Sequence, residues 1–187
     1  MVWASVFIVL LVGCVFFYNQ LAKLDALADE AWKEALNRFE RRYGLLASLA
    51  DTAAGKTQRT EELCSRARRC AEIDTDIKQR QNAENELGNA VRLFFAETEN
   101  EENASEDPQF LLLKQKFAEA EEELQNARRR YNAAVRDYNV ALHTVPTCWI
   151  AKSIKAEEKI FFKTGGGETP ASNGCPPKQP PHERRKQ

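Results

Sequence analysis

The chain has 187 residues, a formal net charge of −1 and 29% charged side chains, so it carries no global field of the kind that gathers nucleic acid or a strongly charged substrate. Gly and Pro are scarce until the last quarter, and Ala, Glu, Leu, Lys and Arg dominate the middle, a composition suited to long helices with one core. The five cysteines, Cys14, Cys64, Cys70, Cys148 and Cys175, make neither a disulfide framework nor a zinc-ligand spacing, and read as buried or idle thiols.

Met1 to Ala22 contains no charged side chain, and Val2 to Tyr18 is apolar apart from Ser5 and Gly13. Seventeen helical residues reach about 26 Å, slightly short of a ~30 Å hydrocarbon core. Trp3 and Tyr18 stand at the two ends, where amphipathic rings favour the headgroups. The expectation is a transmembrane anchor over residues 1–20, with the lipid bilayer as partner through Val2 to Tyr18. A cleaved secretory signal wants a basic start, and no basic side chain precedes Lys23. Leu11-Val12-Gly13-Cys14 has the pattern of a lipobox, which offers a lipoprotein anchored at Cys14 as the alternative, but the apolar run continues past the cysteine to Tyr18. Lys23, Lys33 and Arg38 follow the segment and nothing basic precedes it, so the positive-inside rule predicts a single-pass protein with its bundle in the cytoplasm and a very short external N-terminus. Lipidation at Cys14 reverses that placement.

No proline interrupts Tyr18 to Ala54, so the spanning helix is expected to run directly into the first bundle helix. Ala28, Trp32, Ala35, Phe39, Tyr43, Leu46, Ala50 and Ala53 recur at steps of three and four as one apolar stripe, and Gly55 is placed to end the helix. Thr60, followed by Glu61 and Glu62, predicts a second helix start. Its stripe runs through Leu63, Ala67, Cys70, Ile73 and Ile77 and reappears at Leu87, Val91 and Phe94. The polar interval from Ile77 to Leu87 reads as a solvated face rather than a buried polar layer. Glu97 to Asp107 holds six acids in eleven residues and predicts an exposed loop, without the ordered oxygen spacing and turn glycine of a cation site.

Asp107-Pro108 predicts the start of a third helix, a capping carboxylate before proline at the first position. Along it Phe110, Phe117, Leu124, Tyr131 and Tyr138 repeat every seven residues, as do Leu113, Ala120, Ala127, Ala134 and Ala141. This is a coiled-coil-like seam in which alanines permit close approach and large residues fill the remaining space. Val145-Pro146 breaks the helix, and Trp149, Ile150, Ile154, Phe161 and Phe162 predict a shorter fourth helix capping the bundle. From Gly165 onward three consecutive glycines, five prolines and a basic end predict a disordered tail. The fold predicted is all-α: an elongated antiparallel four-helix bundle over residues 21–163, continuous with the transmembrane helix and followed by a Gly/Pro-rich basic tail over 164–187.

The third helix reads Arg129-Arg130-Tyr131-Asn132-Ala133-Ala134-Val135-Arg136-Asp137-Tyr138-Asn139, with Pro146 seven residues on. This doubled Tyr-Asn resembles the strongest signature of the LemA family. Tyr18-Asn19, Ala31-Trp32, Arg41-Arg42-Tyr43 and Phe110-Leu111-Leu112-Leu113 are similar to other parts of its pattern, and together the likeness covers residues 1 to 162. One stretch departs: Gly44-Leu45-Leu46-Ala47-Ser48-Leu49 stands where the family usually has Asp-Leu-Ile-Pro-Asn-Leu. The resemblance implies a bacterial cell inner-membrane protein, single-pass or lipid-anchored, with a four-helix bundle and no established catalytic activity. Relatives are often encoded beside membrane metalloproteases or envelope-stress proteins, which implies an accessory role.

Gly55-Lys56-Thr57 echoes the end of a phosphate-binding loop but follows no predicted strand, and Ala50 occupies the position of the first glycine. His143 and His182 are the only histidines, and neither belongs to a hydrolase or metalloprotease motif. The expectation is therefore no catalytic residue, no cofactor and no metal site. The polar cluster worth naming is Tyr131, Asn132, Arg136, Tyr138 and Asn139, read either as a hydrogen-bonded layer beside the seam or as a docking surface for another membrane protein. The functional expectation is a membrane-anchored, non-catalytic scaffold or adaptor, with an accessory regulator of a membrane protease or envelope-stress system as the alternative.

Overall fold

The structure, a computed structural model, describes residues 2–52, 58–73, 76–98 and 107–163. Those residues form five helices: α1 (Val2–Thr52), α2 (Gln58–Glu72), α3 (Ile77–Thr98), α4 (Pro108–His143) and α5 (Thr147–Ser153). There is no strand among them. The predicted acidic loop between α3 and Asp107, the Gly55 stop with its Lys56-Thr57 echo, and the predicted tail fall outside the described residues.

α1 is unbroken across 51 residues, about 77 Å at 1.5 Å per residue. Its first part is long and apolar enough to cross a membrane, a test that a signal sequence near an N-terminus also meets. Val6 to Val12, Val15, Phe16 and Tyr18 are exposed along it except where Gly13 interrupts the run of large side chains. At Leu21 the character changes: Leu21, Ala28, Ala35, Phe39, Tyr43, Leu46, Leu49 and Ala50 are buried at helical spacing.

α4 runs antiparallel to this second part of α1. Arg38 and Arg41 reach Glu123 at 2.7 and 2.6 Å, Trp32 lies 4.9 Å from Tyr131 between ring centres, and Leu21 shares a small core with Tyr138 and Leu142. All five large seam residues from Phe110 to Tyr138 are buried. Ala28 and Ala35 on α1 and Ala120 and Ala127 on α4 are buried too, which lets the two backbones approach closely. As expected, Asp107 caps α4 by accepting a hydrogen bond from the Gln109 amide at 2.9 Å, with Pro108 at the first position.

The predicted second helix is two helices, which corrects the single stripe from Thr60 to Phe94. The helical run starts at Gln58, so Thr60 lies buried inside the first turn rather than at the cap. It stops at Glu72, and Asp76 opens α3 by accepting from the amides of Lys78 (2.9 Å) and Gln79 (3.2 Å). Arg66 meets Glu86 at 3.3 Å and Arg80 donates to the Cys70 carbonyl at 3.1 Å, pairs that mark an antiparallel hairpin packed on α1.

The predicted fourth helix is shorter than its apolar residues suggested. α5 ends at Ser153, and Lys155 adopts a positive φ of 53°. The Lys155 amide donates to Lys152 O (3.3 Å) and the Ala156 amide to Ala151 O (2.9 Å), the closing pattern of a helix whose C′ residue is left-handed. Ile160, Phe161 and Phe162 therefore belong to a non-helical strap, residues 156–163, that returns along α1 and α4. Its place follows from unequal lengths. α4 spans about 54 Å and α3 about 33 Å, so the hairpin cannot cover the whole α1–α4 face, and the strap covers the remainder with Phe162 buried in the main core.

Candidate functional site

The interval read from sequence as a solvated face is a buried polar layer. Arg80 and Glu84 on α3 are 4% and 6% exposed. The Glu84 carboxylate accepts from Arg42 at 2.5 Å, from Arg128 at 3.1 Å and from the Tyr43 hydroxyl, so one acid receives donors from α1 and α4. Arg42 Nε also lies 2.8 Å from Glu121 Oε2, an ion pair without hydrogen-bond alignment. Arg80 turns the other way and donates to the carbonyls of Cys70 and Ile73. Cys70 lies in the last turn of α2 and Ile73 just past its end, where a cation also meets the negative end of the helix dipole.

Three guanidinium groups and one fully buried carboxylate leave an excess of positive charge, which Glu121 at the edge and the aromatic faces offset. Arg128 stands 4.8 Å from the centre of the Phe39 ring and 5.1 Å from that of Phe162. Arg80 stands 5.4 Å from Phe39, and Arg42 5.9 Å from Phe117. Desolvated cation–π contacts of this kind are individually worth about 2 kcal/mol. Burial pushes the Arg128 pKa down. It pushes Tyr43 well up, with Glu84 adding to the rise, so the phenol remains a donor. Burial and then Glu84 push the Cys70 thiol up to about 12, which removes it from the class of reactive thiolates. The layer fastens α1, α3 and α4 together at one height.

The residues singled out in the third predicted helix meet the strap. Asn132 donates through Nδ2 to Phe162 O (3.0 Å) and accepts from the Phe162 amide (2.8 Å). Asn139 repeats the arrangement with Lys159, at 2.9 and 3.0 Å. The Tyr131 hydroxyl donates to Ile160 O at 2.8 Å, and Tyr138 is buried beneath Lys159, whose ammonium sits 5.5 Å from its ring centre. The heptad spacing of the two asparagines has a geometric reason. Seven helical residues rise about 10.5 Å, and three extended residues rise about 10 Å, so Asn132 and Asn139 match Phe162 and Lys159 in step. Arg136 is exposed and takes no part in this set.

Lys159 joins the strap to α1 through Asp25 at 2.9 Å and through Asp29, and Gln81 of α3 donates to Phe161 O at 2.8 Å. Burial alone would lower the Lys159 pKa, but the bonds to Asp25 and Asp29 outweigh it and raise it. Phe162 links the two constellations, since its ring packs near Trp32 (5.9 Å) and Phe39 (5.5 Å) and under Arg128. Among the described residues no three His, Cys, Asp or Glu side chains gather as a metal-ligand set.

The repeated Tyr-Asn clamp lies inside a longer match: the profile of the LemA family covers residues 31–173. The chain belongs to the LemA family. No curated protein matches it. The LemA match begins at Ala31-Trp32 and takes in the charged layer, including Arg42, Tyr43, Glu84 and Arg128, and all of the strap contacts except Asp25 and Asp29. It also spans Gly44–Leu49, where the altered sequence still supplies Leu46 and Leu49 to the core.

Sequence reasoning missed Arg42, Arg80, Glu84 and Arg128 as members of one cluster. The signal was present in part. Arg42 and Tyr43 sit on the same stripe as Phe39 and Leu46, and Arg80 and Glu84 lie at a four-residue step on the line joining Ile77 to Leu87. Charged residues in register with an apolar stripe are candidates for burial.

Proposed function

We propose that this LemA protein is a membrane-anchored, non-catalytic scaffold or adaptor of the bacterial inner membrane, with its bundle in the cytoplasm. The observation that carries the reading is the continuity of α1. One helix supplies both the exposed apolar segment before Leu21 and the buried face from Leu21 to Ala50, so anchor and core are one rod with no linker between them. A rod of this kind holds a surface at a set distance along its axis from the bilayer. The polar groups fit that role: Glu84, Asn132 and Asn139 spend their hydrogen bonds on other helices and the strap. The surface offered to a partner is the exposed side of the bundle, which includes Arg136.

Two experiments test this. A Ser48→Cys variant, placed on the exposed side of α1, is treated with a membrane-impermeant maleimide, alongside the parent chain. Labelling only after permeabilisation is expected, and labelling of intact spheroplasts overturns the cytoplasmic placement. Intact mass of the mature protein reads lipidation at Cys14 or loss of the apolar segment in the same samples. Photo-crosslinkers on the exposed faces of α2 and α4 should then capture a membrane protein in living cells. Recovery of lipid alone speaks against an adaptor.

A further inference from the structure

We propose that the outer face of α5 and the turn before it form a second membrane contact, seated in the interfacial layer of the same bilayer that α1 crosses. The inference rests on the membrane-span reading above and goes beyond it, because a single spanning helix leaves the rod free to tilt.

α5 has two unlike sides. Ala151 faces inward and shares a core with Leu21, Tyr138 and Leu142, which fixes α5 to α1 where the apolar segment gives way to the bundle. On the other side Val145, Trp149 and Ile154 are 63%, 67% and 49% exposed. Pro146, Trp149 and Ile154 line an apolar groove of about 710 Å³ whose opposite wall is α1 itself, at Gly13, Phe17 and Tyr18. The exposed face therefore looks along the part of α1 assigned to the bilayer, and away from the bundle.

In water, a tryptophan on so short a helix and a β-branched residue on either side of it form a costly surface. At a bilayer boundary the same composition is favoured, since an indole ring settles among the headgroups and an amphipathic helix lies in the interface plane. The basic residues agree: Lys23, Lys152 and Lys155 are exposed around this level, where their stems can follow apolar surface while the ammonium groups meet anionic headgroups. Seven residues bind a membrane poorly alone. Here α1 makes the contact intramolecular, so the local lipid concentration is already high. The bilayer is preferred over a partner helix as occupant because one wall of the groove is the spanning segment, so lipid that surrounds α1 reaches α5 without a gap. The consequence is a rod held at two points, with its tilt set by α5 and its bundle presented in one orientation.

The test uses the full chain in phosphatidylethanolamine–phosphatidylglycerol vesicles that contain lipid brominated high on the acyl chain. The Trp149 signal is the difference between the parent and Trp149→Phe, and the Trp3 signal the difference between the parent and Trp3→Phe, so Trp32 stays in place throughout. The expected result is that Trp149 emits at shorter wavelength than in water, loses intensity to the brominated lipid and resists aqueous acrylamide. Quenching of Trp3 by lipid with Trp149 open to acrylamide overturns the second contact and leaves the anchor standing. Quenching of neither by lipid removes the anchor and this inference with it. Shielding of Trp149 from both quenchers means that protein covers the face, and overturns the proposal in favour of a second copy of the chain.

Discussion

Arg42 and Glu84, on α1 and α3, meet at 2.5 Å with both side chains about 95% buried. A buried pair is a weak net stabiliser compared with apolar residues of the same volume, yet breaking one is costly because the partner remains desolvated. Glu84 has three such partners in Arg42, Arg128 and Tyr43, so Glu84→Gln should lower unfolding free energy by about 3–5 kcal/mol, read from urea titrations. Replacing Glu84, Arg42 and Arg128 together by Leu and Met should recover a large part of that loss. If the triple variant is no better than Glu84→Gln, the pairing account of this layer is wrong.

The strap is held by side chains rather than by a neighbouring strand, which makes its attachment separable from the rest of the fold. Asn132→Ala removes the partner of both the amide and the carbonyl of Phe162. A loss of about 1–3 kcal/mol is expected for leaving such groups unpaired. Hydrogen exchange should report it locally, with amides of residues 159–162 exchanging faster while α2 and the N-terminal half of α4 keep their protection. Arg136→Ala, a change on the exposed side of the same helix, should leave both measurements unchanged.

Much of this fold was legible because α1 and α4 obey a single period over long stretches. The heptad from Phe110 to Tyr138 named five residues that are all buried, and Asp107-Pro108 gave the start of α4. The break between α2 and α3 was hidden because Ile73 and Ile77 keep the apolar spacing across it, while the deciding residue, Asp76, acts through two local amides. The end of α5 was hidden for another reason: Lys155 takes a left-handed conformation that sequence normally signals with Gly or Asn. Burial of Arg80 and Glu84 depends on donors and rings from other helices, which no reading of one helix face can supply.

Ala127 is 1% exposed on the face of α4 that packs against α1. Ala127→Phe forces the two helices apart or the ring into a strained rotamer, at a cost of about 1–3 kcal/mol or more. Ala118→Phe places the same ring on the exposed side of α4 and should stay within about 0.5 kcal/mol of the parent. Thermal melts followed by circular dichroism separate the two. Equal melting of both variants would mean that the alanine seam is not a close contact.

Alkaline pH should loosen the bundle. Burial pushes Cys70 from 9.0 up to about 12 and Tyr131 from 10.0 up to about 12, and it raises Tyr43 and Tyr138 as well. Each group keeps its proton in the folded chain at a pH where the unfolded chain has released it, so the folded state binds more protons and stability falls as pH rises. Lys159 has the same sign, because its folded pKa lies above 10.5 and the contact with Asp25 and Asp29 is lost when the ammonium deprotonates. Stability should therefore be level to about pH 9, the ordinary thiol value, and decline from there toward pH 12. Urea midpoints across that range check the decline, and absorbance near 295 nm should show the buried tyrosines ionising together with unfolding. Cys70→Ala should flatten much of the first part of the curve, between pH 9 and 10, where Cys64, raised by burial and then by Asp51, is the other thiol that titrates in the unfolded chain. Should the parent hold its midpoint to pH 11 while the Cys70 thiolate forms near pH 9, Cys70 is not enclosed beside Glu84, and the hairpin of α2 and α3 does not close over the charged layer as described.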